Sequence, residues 1–140
     1  MEVMQRLSYS LGSKMFECRD KLIHSNELNL DIINFWNKNH NLTHAGTGCL
    51  VFCAMVAFDL VGNQGELVVG NAEGFLTAKG ADDKTVTTLL DLSKYCARSV
   101  THAHHCAVAL ELADCFRNGI WQLGWTPDIQ PLLQMRRKTC

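Results

Sequence analysis

Gly46-Thr47-Gly48-Cys49-Leu50-Val51-Phe52-Cys53-Ala54-Met55-Val56-Ala57-Phe58-Asp59-Leu60 is the stretch that decides the fold. It is apolar nearly all round, which marks a buried central helix rather than a surface one. Its purely apolar part, Leu50 to Phe58, is far shorter than the roughly eighteen residues a membrane span needs. The three-residue gap between Cys49 and Cys53 sets both sulfurs on one face of that helix, a turn apart. Each can bridge to a different neighbouring segment, so that one helix becomes a double staple. A chain stapled at its core can give up part of that core to a ligand.

Outward from this helix run Cys18, Cys96, Cys106 and Cys115, with Cys140 as the odd seventh cysteine. The gaps along the first six are 30, 3, 42, 9 and 8 residues. A chain of 140 residues makes one domain (1–140) and can bury about two-thirds of its unfolded surface. Disulfides are therefore not needed merely to fold it, and seven cysteines point to an oxidising, extracellular compartment. No Cys-x-x-Cys pair occurs and the gaps do not fit common zinc modules, so no metal is expected. Net charge is −1 with no basic stripe, which argues against nucleic acid. The N-terminus shows no signal-peptide pattern, so a secreted protein would be read here in its mature form.

The only prolines are Pro127 and Pro131, so everything before them can be helical. Val3, Met4, Leu7, Leu11, Met15 and Phe16 form a helical stripe over Met1 to Leu22, with a bend expected at Gly12. Leu28 to Trp36 reads as a short second helix with Leu30, Ile33 and Phe35 or Trp36 inward. Gly62-Asn63-Gln64-Gly65 is a turn. Asn71 is placed to cap a helix reaching Lys79, and Asp82 or Asp83 to cap one carrying Val86, Leu89, Leu90, Ser93 and Cys96 on one side. A Thr- and His-rich loop precedes a last helix over Ala107 to Leu123, with Leu112, Phe116, Ile120 and Leu123 on one face. The fold class is all-α: a compact bundle of about six helices with a looser tail over about 128–140.

The cysteine gaps, Phe35-Trp36, Gly48-Cys49, Gly70-Asn71-Ala72 with Phe75, Gly80-Ala81-Asp82, Cys115-Phe116, and Leu123 with Trp125 and Pro127 together resemble the lepidopteran pheromone-binding proteins, a branch of the six-cysteine insect odorant-binding proteins. The resemblance spans about residues 2 to 130. It implies a helical bundle around an internal apolar cavity, with three disulfides, Cys18–Cys53, Cys49–Cys106 and Cys96–Cys115. It implies a carrier of long-chain alcohols, acetates or aldehydes in sensillum lymph, delivering them to olfactory receptors, with no catalysis and no cofactor. The cavity positions it implies are Met4, Leu7, Leu11, Phe35, Trp36, Val51, Met55, Leu60, Val61, Leu67, Phe75, Leu90, Leu112 and Phe116, with Phe35 and Phe116 sandwiching the unsaturated part of the ligand. Read without the family, all are residues that any helical core would use. Met4, Met15 and Met55 are adaptable fillers suited to a bent chain.

The departures fall at polar positions. Met55 stands where the family commonly has a serine that anchors the ligand's oxygen, so another donor must serve: the Trp36 indole, a backbone amide or water. Val68-Val69 and Lys94 stand where many relatives carry histidines whose protonation opens the cavity. The tail, Gln130 to Cys140, carries Arg136-Arg137-Lys138, three cations that would have to be desolvated to enter an apolar cavity. An acid-driven, tail-insertion switch is therefore expected to be absent or weak.

Three further features are read conservatively. His102, His104 and His105 form a solvated loop rather than a metal site, since no acidic or thiol ligand flanks them. Asn41-Leu42-Thr43 is a glycosylation sequon. Cys140 is a free thiol or the link of a disulfide-bonded homodimer. No His-Asp dipeptide of a secreted phospholipase and no Gly-x-Ser-x-Gly elbow appears, which argues against an enzyme. The alternatives to a pheromone carrier are a general odorant or lipid carrier and a membrane-active protein of the saposin type, which would use an open amphipathic face.

Overall fold

The computed structural model describes residues 2–22, 26–42, 44–62, 64–99 and 104–127. These form six helices: α1 (Glu2–Leu22), α2 (Asn26–Ile33), α3 (Ala45–Ala57), α4 (Val69–Ala78), α5 (Asp83–Arg98) and α6 (His105–Leu123). Beyond an isolated bridge between Val61 and Leu67, the described residues contain no strand. The tail, His24, His102, Asn63 and Thr43 lie outside the described residues.

The central helix is α3. It is buried at Gly46, Thr47, Gly48, Leu50, Val51 and Ala54, and packs on α1, α2 and α6. Helix α6 in turn packs on α5, and α5 on α4. The core gathers Met15 and Phe16 of α1, Leu28 and Ile32 of α2, Leu50 and Ala54 of α3, and Ala109, Ala113 and Ile120 of α6.

Three disulfides tie these layers: Cys18–Cys53 joins α1 to α3, Cys49–Cys106 joins α3 to α6, and Cys96–Cys115 joins α5 to α6. Helix α3 is thus stapled from two sides. Its Gly48 is required by the close approach to α6, because a Cβ there would lie 2.0 Å from the carbonyl oxygen of Cys106.

Several local expectations are corrected. Helix α1 runs unbroken through Gly12, which is buried. Helix α2 ends at Ile33, and Phe35-Trp36 sit in the turn that follows. Its inward face is Leu28, Ile32 and, as expected, Ile33, while Leu30 is half exposed. Helix α4 begins before Asn71: Val68 holds the cap position and its carbonyl accepts from Ala72 N–H. Asn71 instead donates its side-chain amide to the carbonyl of Asp59 at 2.8 Å, pinning the exit of α3. Asp59 itself has φ 57°, a left-handed turn that Asp tolerates. On α6 Leu123 is exposed, and the helix stops at Gly124 with φ 73°, whose N–H caps the last carbonyls.

Candidate functional site

A cavity of about 560 Å³ lies between the helices. Helix α1 lines it with Met4, Leu7 and Leu11, the turn after α2 with Phe35 and Trp36, and α3 with Val51 and Met55. Leu60 and Leu67 come from the loop between α3 and α4, Phe75 from α4, Leu90 from α5, and Leu112 and Phe116 from α6. The sequence pattern explains this convergence. Each helix turns one apolar stripe inward, and the stripes meet around space rather than filling it.

Of the fourteen cavity positions expected from the sequence, Val61 alone is not on the wall. It pairs across the loop with Leu67, which is on the wall. Met15 is also off the wall, packed in the core. The lining includes residues that the sequence reading missed, among them Phe58, Leu76, Leu89, Ser93 and Val108. Phe58 sits beside Phe75, with ring centroids 4.8 Å apart, a contact that no sequence spacing signals. A side pocket of about 150 Å³ adjoins the cavity at Met55, Gln64, Gly65, Val108 and Leu112, beside the stacked rings of Phe52 and His105.

The Phe35-Trp36 turn is held by polar contacts. Trp36 Nε1–H donates to Ser8 Oγ at 3.0 Å, inside the protein. The Trp36 indole, one of the three donors the sequence offered for a ligand's oxygen, is therefore engaged within the protein. Trp121 Nε1–H donates to the Trp36 carbonyl at 2.9 Å. Arg117, a fully buried cation, donates to the carbonyls of Phe35, Asn37 and His40 and to the Asp114 carboxylate, with its guanidinium 4.8 Å from the Trp121 ring. The hydrophobic pattern of α6 concealed it. Beside this clamp, Asp31 is buried and accepts from Thr47 Oγ1, with His40 Nε2 at 2.7 Å from its other oxygen.

Two histidines of the expected loop have structural places: His104 caps α6 and His105 stacks on Phe52. Among the described residues no cluster of three metal-ligating side chains occurs, and no helix is long and apolar enough to cross a membrane.

Six helices, three disulfides and an apolar cavity at their centre define a class: stapled helical proteins that enclose space for a small hydrophobic molecule. The chain belongs to the PBP/GOBP family, whose model matches residues 2–119. It is 31% identical over 130 residues to pheromone-binding protein 2 of Epiphyas postvittana, covering 92% of this chain and 79% of that one. It is 22% identical to general odorant-binding protein 1 of Heliothis virescens, covering 95% of this chain and 82% of that protein. The crystal structure of Epiphyas postvittana pheromone-binding protein 3 superposes with a TM-score of 0.70 at 29% identity, over 81% of this chain and 97% of that one.

Proposed function

We propose that the protein is a secreted, non-catalytic carrier that takes up long-chain alcohols, acetates or aldehydes in its cavity and delivers them to olfactory receptors through sensillum lymph. The observation that carries this reading is the apolar cavity of about 560 Å³ inside a PBP/GOBP fold. The thirteen wall positions expected from the sequence, Phe35 and Phe116 foremost, are its ligand contacts. Burying a methylene contributes about 0.8 kcal/mol, so a chain of about a dozen carbons binds without any charged contact. Part of that gain offsets the cost of ordering the chain. A saposin-like reading is weaker, because the apolar side chains face an interior and not an open surface.

Displacement of a fluorescent apolar probe by such ligands tests the carrier reading. Micromolar or tighter competition is the expected result. Absence of competition by any of them, from protein freed of bound lipid, overturns it. Lack of binding to liposomes is the expected counterpart that separates it from a membrane-active protein.

A further inference from the structure

We propose that the cavity prefers a ligand with a hydroxyl group, a fatty alcohol over the acetate or aldehyde of the same chain, and that Ser93 sets this preference. The inference rests on the carrier reading and names the ligand class within it.

Ser93 lines the cavity from α5, beside Leu89, Leu90 and Cys96. Its hydroxyl donates to the Leu89 carbonyl one turn earlier, at 2.9 Å. A serine hydroxyl has one hydrogen and two lone pairs. With the hydrogen turned to the helix, only lone pairs remain for the cavity. Such bonds are common on helices, and Thr88 and Ser99 make them on the same helix at exposed positions. What distinguishes Ser93 is its place on the cavity wall.

The side-chain donors that could compensate are engaged, absent or exposed to solvent. The Trp36 indole hydrogen is bound by Ser8. Met55 offers none. Gln64 and Glu66 stand on the lining but are exposed to solvent, and the Glu66 carboxylate, itself an acceptor, receives the Gln64 backbone N–H at 3.0 Å. The lining therefore meets a ligand's polar end mainly with an acceptor. An alcohol donates its O–H to Ser93 while Ser93 keeps its helix bond. An ester or aldehyde carbonyl can only accept, so it engages Ser93 only by breaking the bond to Leu89.

The test is a cycle of two ligands and two proteins, with a matched straight-chain hydrocarbon as a third ligand and an exposed-serine variant as a third protein. Dissociation constants of dodecanol and dodecyl acetate are measured on the wild type, on Ser93→Ala and on the exposed control Ser99→Ala. Ala keeps the helix, so Ser93→Ala is expected to fold and to bind the hydrocarbon as the wild type does. The ratio of acetate to alcohol dissociation constants is expected to fall about three- to tenfold in Ser93→Ala, the factor of one ordinary hydrogen bond. It is expected to stay unchanged in Ser99→Ala. A ratio that is unchanged or rises in Ser93→Ala overturns the alcohol preference and leaves the carrier reading intact. Failure of the wild type to bind all three ligands, the hydrocarbon included, overturns both.

Discussion

Arg117 Nη1 donates to the backbone carbonyl of Phe35 at 3.2 Å, across 82 positions of sequence. The same guanidinium holds the carbonyls of Asn37 and His40, so one side chain of α6 fixes the whole turn that carries Phe35 and Trp36 to the cavity. Arg117→Met leaves these carbonyls without their charged donor. Hydrogen bonds to charged groups contribute about 1.5–3 kcal/mol each and are not additive, so a loss of about 2–4 kcal/mol is expected in urea unfolding. Lysine should not rescue it, since an ammonium cannot reproduce the planar fork. A variant as stable as the wild type would show that the turn holds itself.

The Gly48 contact leads to a second expectation. The atom that an added Cβ would meet at 2.0 Å is backbone oxygen of Cys106, not the end of a flexible side chain. Gly48→Ala must therefore push α3 from α6 at the point where Cys49–Cys106 draws their Cα atoms to 4.3 Å. Overpacking of a rigid contact costs about 1–3 kcal/mol, and more where backbone cannot move. The expected outcome is a lower melting temperature and a fraction of molecules with Cys49 or Cys106 reactive to a thiol reagent. Full protection of both thiols together with an unchanged melting temperature would contradict this reading.

How much of this was legible in the sequence depends on whether a side chain's role is local. The gap between Cys49 and Cys53 and the all-round apolar run pointed to a central, doubly stapled helix, and α3 is that helix. Asp82 reads as a cap from its neighbours alone and is one. The pairing of the cysteines was readable only through the family resemblance, because spacing leaves several connectivities open. Arg117 and Asp31 were not legible. A charged residue inside an apolar stripe looks solvated until its carbonyl and hydroxyl partners, many positions away, are brought to it. Asn71 was misread for the opposite reason: its type suits a cap, but a distant partner, Asp59, uses it otherwise. Val61 shows the limit of carrying positions across by family, since it stands off the wall although Leu67, its partner across the loop, lines it.

Asp82 makes stability depend on pH at the start of α5. Hydrogen bonds donated to it by Thr85, first from the side chain and then from the backbone N–H, hold the Asp82 carboxyl below the usual aspartate value of 3.8. A folded-state value below the unfolded one means stabilisation that is complete above 3.8 and lost as pH falls through the folded value. Asp82→Ala should therefore melt lower than the wild type at neutral pH, with the gap closing as pH falls below 3.8. Asp82→Asn, which keeps an acceptor but does not titrate, should not show that closing trend. A gap for Asp82→Ala that is constant across this range would remove the carboxylate from the account.

Helices α3 and α6 both begin on a histidine that accepts a backbone N–H through Nδ1: Gly46 at 3.0 Å for His44 and Cys106 at 3.2 Å for His104. Only a ring with a bare Nδ1 can do this, because an imidazolium has two donors and no acceptor. The ring acts here purely as an acceptor, as an Asn or Ser side chain does at other helix starts. His104→Ala should therefore cost about 1 kcal/mol, the usual contribution of one cap, while His104→Asn, which keeps an acceptor, should not. Hydrogen exchange should place the loss at the first turn of α6, because Cys49–Cys106 keeps the two helices together whatever the caps do. A His104→Ala variant as stable as the wild type would mean that the ring is irrelevant to where this helix begins.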